Sequence, residues 1–168
     1  LTIDFAGYTY TVDSDPLAGS TNTKNQCFQL LTGGSVTMKG GTIVANHSGA
    51  KMIIQNYCNL TLEGMTLDAT KETNNVGYVL SNNCGNVVIK DTEITAKTGN
   101  VAFDVYGGFG SYGDVTVTVT GNSEINGKIE VDRENTTNTN NTNKNTLVVE
   151  DGTVNGNVDI QKIGRAHV

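Results

Sequence analysis

Three carboxylates recur at a spacing that could support acid–base chemistry. Asp104, Glu130 and Asp159 are each the middle residue of an apolar–acidic–apolar triplet. If the triplets lie in adjacent strands, the carboxylates stand about 5 Å apart, near the separation in a retaining glycosidase. Stacked like charges repel, so the column needs a cation, a raised pKa or outward splaying; Lys128 and Arg133 are close enough in sequence to neutralise it. Two interpretations stay open, a catalytic set and three solvated surface acids, and the usual exposure of carboxylates favours the second.

A glycine-rich aromatic segment, residues 106–113, is the best candidate for ligand binding. Tyr106, Phe109 and Tyr112 could stack on sugar rings, while Asp104 and Asp114 accept hydrogen bonds from hydroxyl groups. Loops of this kind carry function more often than cores do. The alternative is that Phe109 folds back over the core and the tyrosines pack along its flank.

The cysteines and histidines predict neither a metal site nor a cofactor. There is no Cys-x-x-Cys pair, and His47 is isolated in the sequence. Cys58 and Cys84 follow similar segments and should stack on each other, whereas Cys27 has no obvious mate. Buried thiols are favoured for the stacked pair because free cysteine behaves as a small apolar residue, but a disulfide stays open.

Short strands that recur through the chain must position these residues. One kind of segment, which we label b, alternates apolar and polar residues. Seven or eight positions after the start of each b segment comes another apolar residue, which marks a second short strand that we label c. A third segment, a, precedes each b segment from the second repeat onward. The b strands start at 1, 36, 60, 87, 117 and 147, and the first c strand is expected at Tyr8. The a strands are Phe28-Gln29-Leu30, Met52-Ile53-Ile54, Tyr78-Val79-Leu80, Phe103-Asp104-Val105, Ile129-Glu130-Val131 and Val158-Asp159-Ile160.

Three short strands per repeat, without a helical period, predict an all-β, right-handed, single-stranded parallel β-helix of about six coils. The composition agrees, with 20 Gly and one Pro. The middle of strand a should face outward as the column Gln29, Ile53, Val79, Asp104, Glu130, Asp159. Other columns are interior Ile43, Leu67, Ile94, Ile125 and Val154, small Ala45, Ala69, Ala96, Gly127 and Gly156, charged Lys39, Glu63 and Lys90, and an asparagine ladder of Asn56 and Asn82.

These repeats resemble the parallel β-helix (pectin-lyase-like) proteins, especially those of gut bacteria and their phages. The resemblance covers residues 1–161, and its motifs are those of the repeat, which bear on fold more than on function. Enzymes of this kind use a calcium-binding acidic cluster with an arginine, or adjacent aspartates with a histidine and an Arg-x-Lys motif. Apart from the last residues, this chain has one arginine, Arg133, and one histidine, His47, and neither pattern.

The whole sequence therefore predicts a non-enzymatic structural or display module of a secreted, cell-surface or virion-surface protein, able to bind glycans or a host-surface receptor through side loops. The alternative is a glycoside hydrolase or polysaccharide lyase that uses Asp104, Glu130 and Asp159. The net charge of −6 and the absence of a basic stripe exclude nucleic acid. No apolar run is long enough to span a membrane.

Both ends of the chain indicate truncation. Leu1 is not a methionine, and residues 162–168 read like a translated sequencing adapter from a metagenomic assembly, so they are set apart from the fold. Because a parallel β-helix has an unpaired strand edge at each end, we expect further coils, a cap or a homo-oligomer to cover those edges.

Overall fold

The computed structural model describes residues 1–20, 22–107, 113–132 and 144–161, which form strands joined by turns. Apolar residues at alternate positions and β-branched Val, Ile and Thr favour strands throughout. No helix in these ranges is long and apolar enough to cross a membrane. The strands are β1 (Thr2–Asp4), β2 (Thr9–Val12), β3 (Gln26–Leu30), β4 (Ser35–Ala45), β5 (Met52–Asn56), β6 (Asn59–Asp68), β7 (Tyr78–Asn82), β8 (Val87–Lys90), β9 (Glu93–Thr95), β10 (Val101–Val105), β11 (Val115–Thr120), β12 (Glu124–Asn126), β13 (Lys128–Asp132), β14 (Asn145–Val149), β15 (Thr153–Asn155) and β16 (Val158–Gln161).

The strands build a parallel β-helix, as the repeat predicts. The a strands form a six-stranded sheet in the order β16-β13-β10-β7-β5-β3. The b and c strands form a second, ten-stranded sheet, in which β4 and β6 are long enough to occupy both positions. Each paired strand is parallel to its neighbour one coil away.

The structure has about four turns, so the predicted number of six coils is too high. The terminal layers do not count as closed turns. The first layer, β1 and β2, has no preceding a strand, and the last layer leaves Leu147 and Val154 only half-buried. The interior between them is closed by the large apolar side chains Met38, Leu62, Ile89 and Phe103, all with no exposed surface.

The b strands, and the c strands from β4 onward, have the predicted register. Val36 pairs with Leu60, Leu60 with Val87, and Val87 with Val117. The interior column from Ile43 to Val154 is also in register across four strand pairs. The strand register on two of the three faces of the coil can therefore be predicted from the sequence.

Two register predictions are wrong by two residues. Ile43 pairs with Tyr10 rather than Tyr8, because Ala6 and Gly7 form a turn with positive φ (50° and 83°) that lengthens the connection. In the a sheet, Phe28 pairs with Ile54, and Ile54 pairs with Leu80. The predicted triplets at Met52 and Tyr78 thus start two residues too early.

The corner between b and c strands has a left-handed backbone at the matching residue of four successive coils. Gly40, Gly64, Asp91 and Gly121 follow the paired ends of the b strands, with φ between 48° and 64°. Asp91 stabilises the next coil, since its Oδ1 accepts the Asn122 N–H at 2.9 Å. A Cβ at Gly121 would lie 2.4 Å from that oxygen, so this position requires glycine.

Small residues stack at the corner between c and a strands, as predicted. Gly127 lies over Ala96, and a Cβ added at Gly127 would come within 2.8 Å of the Ala96 Cβ. A Cβ at Gly156 would approach the Gly127 carbonyl oxygen to 2.1 Å. The coil is therefore too narrow here for a larger residue.

All three cysteines are free, buried thiols. Cys58 donates to Asn56 Oδ1 at 3.2 Å, and Cys84 donates to the Tyr57 carbonyl at 3.3 Å. Burial raises the pKa of Cys84 to about 11 and that of Cys27 to about 12. Cys58 and Cys84 are therefore stacked free thiols, as favoured from the sequence, and not a disulfide.

The asparagine ladder is confirmed and satisfies buried backbone groups. Asn56 and Asn82 are paired in register and fully buried. Asn56 Nδ2 donates to Asn82 Oδ1 at 2.8 Å and to the Cys58 carbonyl at 2.6 Å, and Asn56 Oδ1 accepts the Cys58 N–H at 3.2 Å. The ladder thus closes the turn after strand a and ties two coils together.

We predict that Asn56→Ala lowers the free energy of unfolding by about 3 kcal/mol, because several buried polar groups lose their partner at once. Urea titration followed by circular dichroism measures the change. Asn122→Ala is the matched control, since the Asn122 side chain is exposed and its loss should cost less than about 0.5 kcal/mol. Equal effects of the two substitutions would contradict a structural ladder.

Candidate functional site

The a sheet brings the three predicted carboxylates together. Asp104 of β10 pairs with Glu130 of β13, and Glu130 pairs with Asp159 of β16. Adjacent strands place such side chains about 5 Å apart. We call these three residues the carboxylate column.

Towards the N-terminus, this column keeps the predicted Gln29, but two of its other predicted members are replaced. Gln29 pairs with Gln55, and Gln55 pairs with Ser81, so Ile53 and Val79 do not belong to it. Gln29 Nε2 donates to Gln55 Oε1 at 2.9 Å. The two-residue shift of β5 and β7 therefore turns an apparently mixed column into a continuous polar one.

The carboxylate column is largely buried, which corrects the expectation of three solvated surface acids. Asp104 has no exposed surface and Glu130 has 4 %. Asp159, in the last strand, is half-buried. A buried carboxylate must be hydrogen-bonded or paired to remain charged.

Each carboxylate has a protein partner. Asp104 Oδ1 accepts the Asn82 N–H at 2.5 Å, which joins β10 to β7. Lys128 Nζ lies 2.6 Å from Glu130 Oε1 and 3.8 Å from Asp159 Oδ2. Hydrogen bonding and charge from Glu130, with a smaller effect of Asp159, raise the pKa of Lys128. The predicted neutralising cation is therefore Lys128; Arg133 lies outside the described residues.

Tyr78 is a member of this site that the sequence did not reveal. Its hydroxyl donates to Glu130 Oε2 at 2.8 Å, although Tyr78 is in β7 and Glu130 is in β13, two coils away. The side chain thus crosses over β10 to reach its acceptor. No local sequence signal marks a contact between residues so far apart.

Lys128 also lines a shallow groove of about 400 Å³ at the corner between c and a strands. The groove forms because the connection shortens along the helix, from residues 69–77 and 96–100 to the single residue Gly127. Its lining is mixed, with Lys97, Asn126 and Asn157 beside Ala96 and Gly127. Lys97 Nζ is held by the carbonyls of Asn74 at 2.6 Å and Glu72 at 3.2 Å.

The aromatic segment is only partly described. Tyr106 is 2 % exposed, and burial, followed by the charge of Asp132, raises the pKa of its hydroxyl. Asp114 is exposed, and its Oδ1 accepts the Lys144 N–H at 2.9 Å. Phe109 and Tyr112 lie outside the described residues. Of the predicted binding residues that the structure describes, Asp114 alone is open to solvent, since Asp104 and Tyr106 are buried.

The fold and this site define a parallel β-solenoid with a buried polar column. Within the described ranges, no group of three or more His, Cys, Asp or Glu side chains could hold a metal ion. Comparison with protein-family models, curated proteins and solved structures found no match to this chain.

We predict that Lys128→Met lowers the free energy of unfolding by roughly 2 kcal/mol, between the values for exposed and buried ion pairs. The substitution leaves Glu130 buried with Tyr78 as its remaining side-chain partner. Because the pKa of Lys128 is raised above 10.5 on folding, its contribution is present below that pH and is lost as pH rises through the folded value. The difference between wild type and variant, measured by urea titration, should be constant near neutrality and shrink above pH 10.5.

Lys90→Met is the control for this substitution. Lys90 pairs with Glu63 at 2.7 Å on the surface, where both side chains are nearly half exposed. We expect a smaller loss than for Lys128→Met. A loss as large as that of Lys128→Met would show that burial of Glu130 does not matter.

Proposed function

We propose that this chain is a structural or display module of a secreted, cell-surface or virion-surface protein, rather than an enzyme. The observation that carries the proposal is the engagement of the carboxylate column in holding coils together. Asp104 binds a main-chain N–H of β7, and Glu130 is held by Lys128 and Tyr78. A general acid or base must instead reach the substrate.

The backbone ladders support a role as a rigid scaffold. Parallel pairing runs through both sheets, so each coil is fixed by the coils on either side. Side loops on such a scaffold can vary without disturbing the ladders. The resemblance to pectin-lyase-like repeat proteins of gut bacteria and their phages fits a surface location of this kind.

Glycan or receptor binding through the 106–113 segment is part of this proposal. Asp114, at its end, is exposed and offers a carboxylate to hydroxyl groups. Aromatic rings and carboxylates together suit sugars, which present apolar faces and hydroxyl edges.

A carbohydrate-active enzyme is the second candidate. The register of Asp104, Glu130 and Asp159 favours it, since paired carboxylates about 5 Å apart are the arrangement of retaining glycosidases. In that case Glu130 and Asp159 would be the reacting pair, with Asp159 the more exposed of the two, because Asp159 is half-buried whereas Glu130 is 4 % exposed and Asp104 has no exposed surface.

Our prediction for the first candidate is no turnover when the protein is incubated with a panel of neutral and acidic polysaccharides. Reducing ends and unsaturated products are measured over time. Should cleavage occur and be abolished by Glu130→Gln or Asp104→Asn, while Glu63→Gln, at a half-exposed surface side chain, stays active, the enzyme candidate replaces our proposal. Circular dichroism of each variant shows whether it is folded.

For binding, we predict that a glycan-array signal is lost in Phe109→Ala, Tyr112→Ala and Asp114→Asn. Tyr8→Ala is the matched control, because Tyr8 is a 76 % exposed tyrosine at the other end of the solenoid. Tyr106→Phe tests the buried hydroxyl and should bind normally. A signal that follows Tyr8 rather than the 106–113 segment would refute this binding site.

A further inference from the structure

A turn on the side of the solenoid has a hollow on either side of it. The turn, residues 97–100, connects β9 to β10 and is closed by the Asn100 N–H, which donates to the Lys97 carbonyl at 2.9 Å. One hollow, of about 350 Å³, is lined by Lys97 and Thr98 together with Thr70 and Glu72. The other is the groove of about 400 Å³ described above, which Lys97 and Thr98 also line. The turn belongs to an internal coil, so further coils at either end would lengthen this side of the solenoid and would not cover the turn.

Lys97 has a fixed position and a charge that no carboxylate of the described residues neutralises. Its Nζ donates to the carbonyls of Asn74 at 2.6 Å and Glu72 at 3.2 Å. These bonds use two of the three donors of an ammonium group, and the residue is half-buried. Every ion pair among the described residues involves other side chains. Because a partly buried charge is costly without a counter-charge, this lysine suits an anionic ligand.

The turn supplies further donors beside Lys97. Within the described chain, neither the N–H groups of Thr98 and Gly99 nor the Thr98 hydroxyl has a hydrogen-bond partner, and both residues are exposed. Gly99 has a φ of 84°, which is the value at the third position of a type II turn, so Thr98 occupies the second. Successive N–H groups in a turn form a concavity that binds anions. With the third donor of Lys97, the turn offers four donors to one ligand.

We infer that this turn binds the sulfate ester of a sulfated glycan. The single charge of Lys97 matches a singly charged anion, and the Glu72 carboxylate in the adjoining hollow disfavours a second negative charge. A sulfate ester has one charge and three terminal oxygens, which suit the four donors of the turn. A phosphate monoester carries between about 1.5 and 2 negative charges at neutral pH, and a carboxylate has only two oxygens.

The two hollows would hold the sugar rings that carry the ester. Thr70 and Glu72 on one side and Asn126 on the other offer partners for hydroxyl groups. The described lining of the hollows has no aromatic or branched aliphatic side chain, which argues against an apolar ligand. The net charge of −6 repels a densely charged polymer, so the site suits a sparsely sulfated glycan.

The sulfate site depends on the proposed function only in treating the chain as a glycan-binding module. It lies at the corner between c and a strands, whereas residues 106–113 follow the a strand β10. Variants in the turn and variants in the 106–113 segment therefore test separate sites, and either site can fail without the other.

Isothermal titration calorimetry with a glucan oligosaccharide that carries one sulfate ester should show binding at physiological ionic strength. The unsubstituted, carboxymethylated and phosphorylated forms of the same oligosaccharide should bind roughly tenfold more weakly or less. Lys97→Met should raise the Kd of the sulfated form roughly tenfold or more, because the charge is lost. Thr98→Pro should raise it by a similar factor, roughly tenfold, since proline suits the second position of a type II turn but has no N–H.

Lys51→Met is the matched control, since Lys51 is an exposed lysine at the same corner and lines neither hollow. This variant and Phe109→Ala should bind the sulfated oligosaccharide like the wild type. Urea midpoints show whether each variant is folded, and Thr98→Pro decides the outcome if Lys97→Met does not fold. Absence of binding, equally tight binding of the carboxymethylated or phosphorylated form, or an unchanged Kd in the folded turn variants would each overturn the inference.

Discussion

In-register stacking of identical backbone positions is the constraint on which this molecule depends. Every coil lies about 4.8 Å from the next, so each side chain must tolerate its own counterpart above and below. Apolar columns satisfy this condition by packing, as Ile43, Leu67 and Ile94 do. The column of small residues at the corner between c and a strands meets this condition with glycine, since there is no room for a Cβ at Gly127 or Gly156. At the corner between b and c strands, Gly40, Gly64, Asp91 and Gly121 meet it by sharing the same left-handed backbone conformation.

Polar columns meet the same constraint through hydrogen bonds between layers. Asn56 and Asn82 form one because an amide can donate to its neighbour on one side and accept on the other. Asn126 and Asn155 repeat the arrangement on the surface at 2.8 Å. Lys90 and Glu63 achieve it with opposite charges. A carboxylate is different, because when ionised it only accepts, so a column of acids requires donors from elsewhere.

The sequence predicted the fold, the b register and the c register from β4 onward because apolar residues recur there at nearly constant spacing. It misplaced β2, β5 and β7 by two residues for a physical reason: a strand pattern has period two, so a two-residue shift leaves the same side chains on the same face. Consecutive apolar residues such as Met52, Ile53 and Ile54 made the shift harder to see. The adjacency of Asp104, Glu130 and Asp159 was predictable from the repeat. The burial of Asp104 and Glu130 was not, and neither was the hydrogen bond from Tyr78, which reaches Glu130 across an intervening strand.

The contacts that hold the carboxylates in the fold argue against a catalytic role for Glu130. Asp104 accepts a hydrogen bond from a backbone N–H. Glu130, which lies between the two other acids, is paired with the Lys128 ammonium and accepts a hydrogen bond from the Tyr78 hydroxyl. Lys128 also reaches Asp159, so one cation serves two layers. Freeing Glu130 for proton transfer would remove both of its donors and leave a buried charge between two carboxylates. The same contacts that make stacked acids compatible with the fold therefore hold Glu130 in place, and this favours a scaffold over a catalyst.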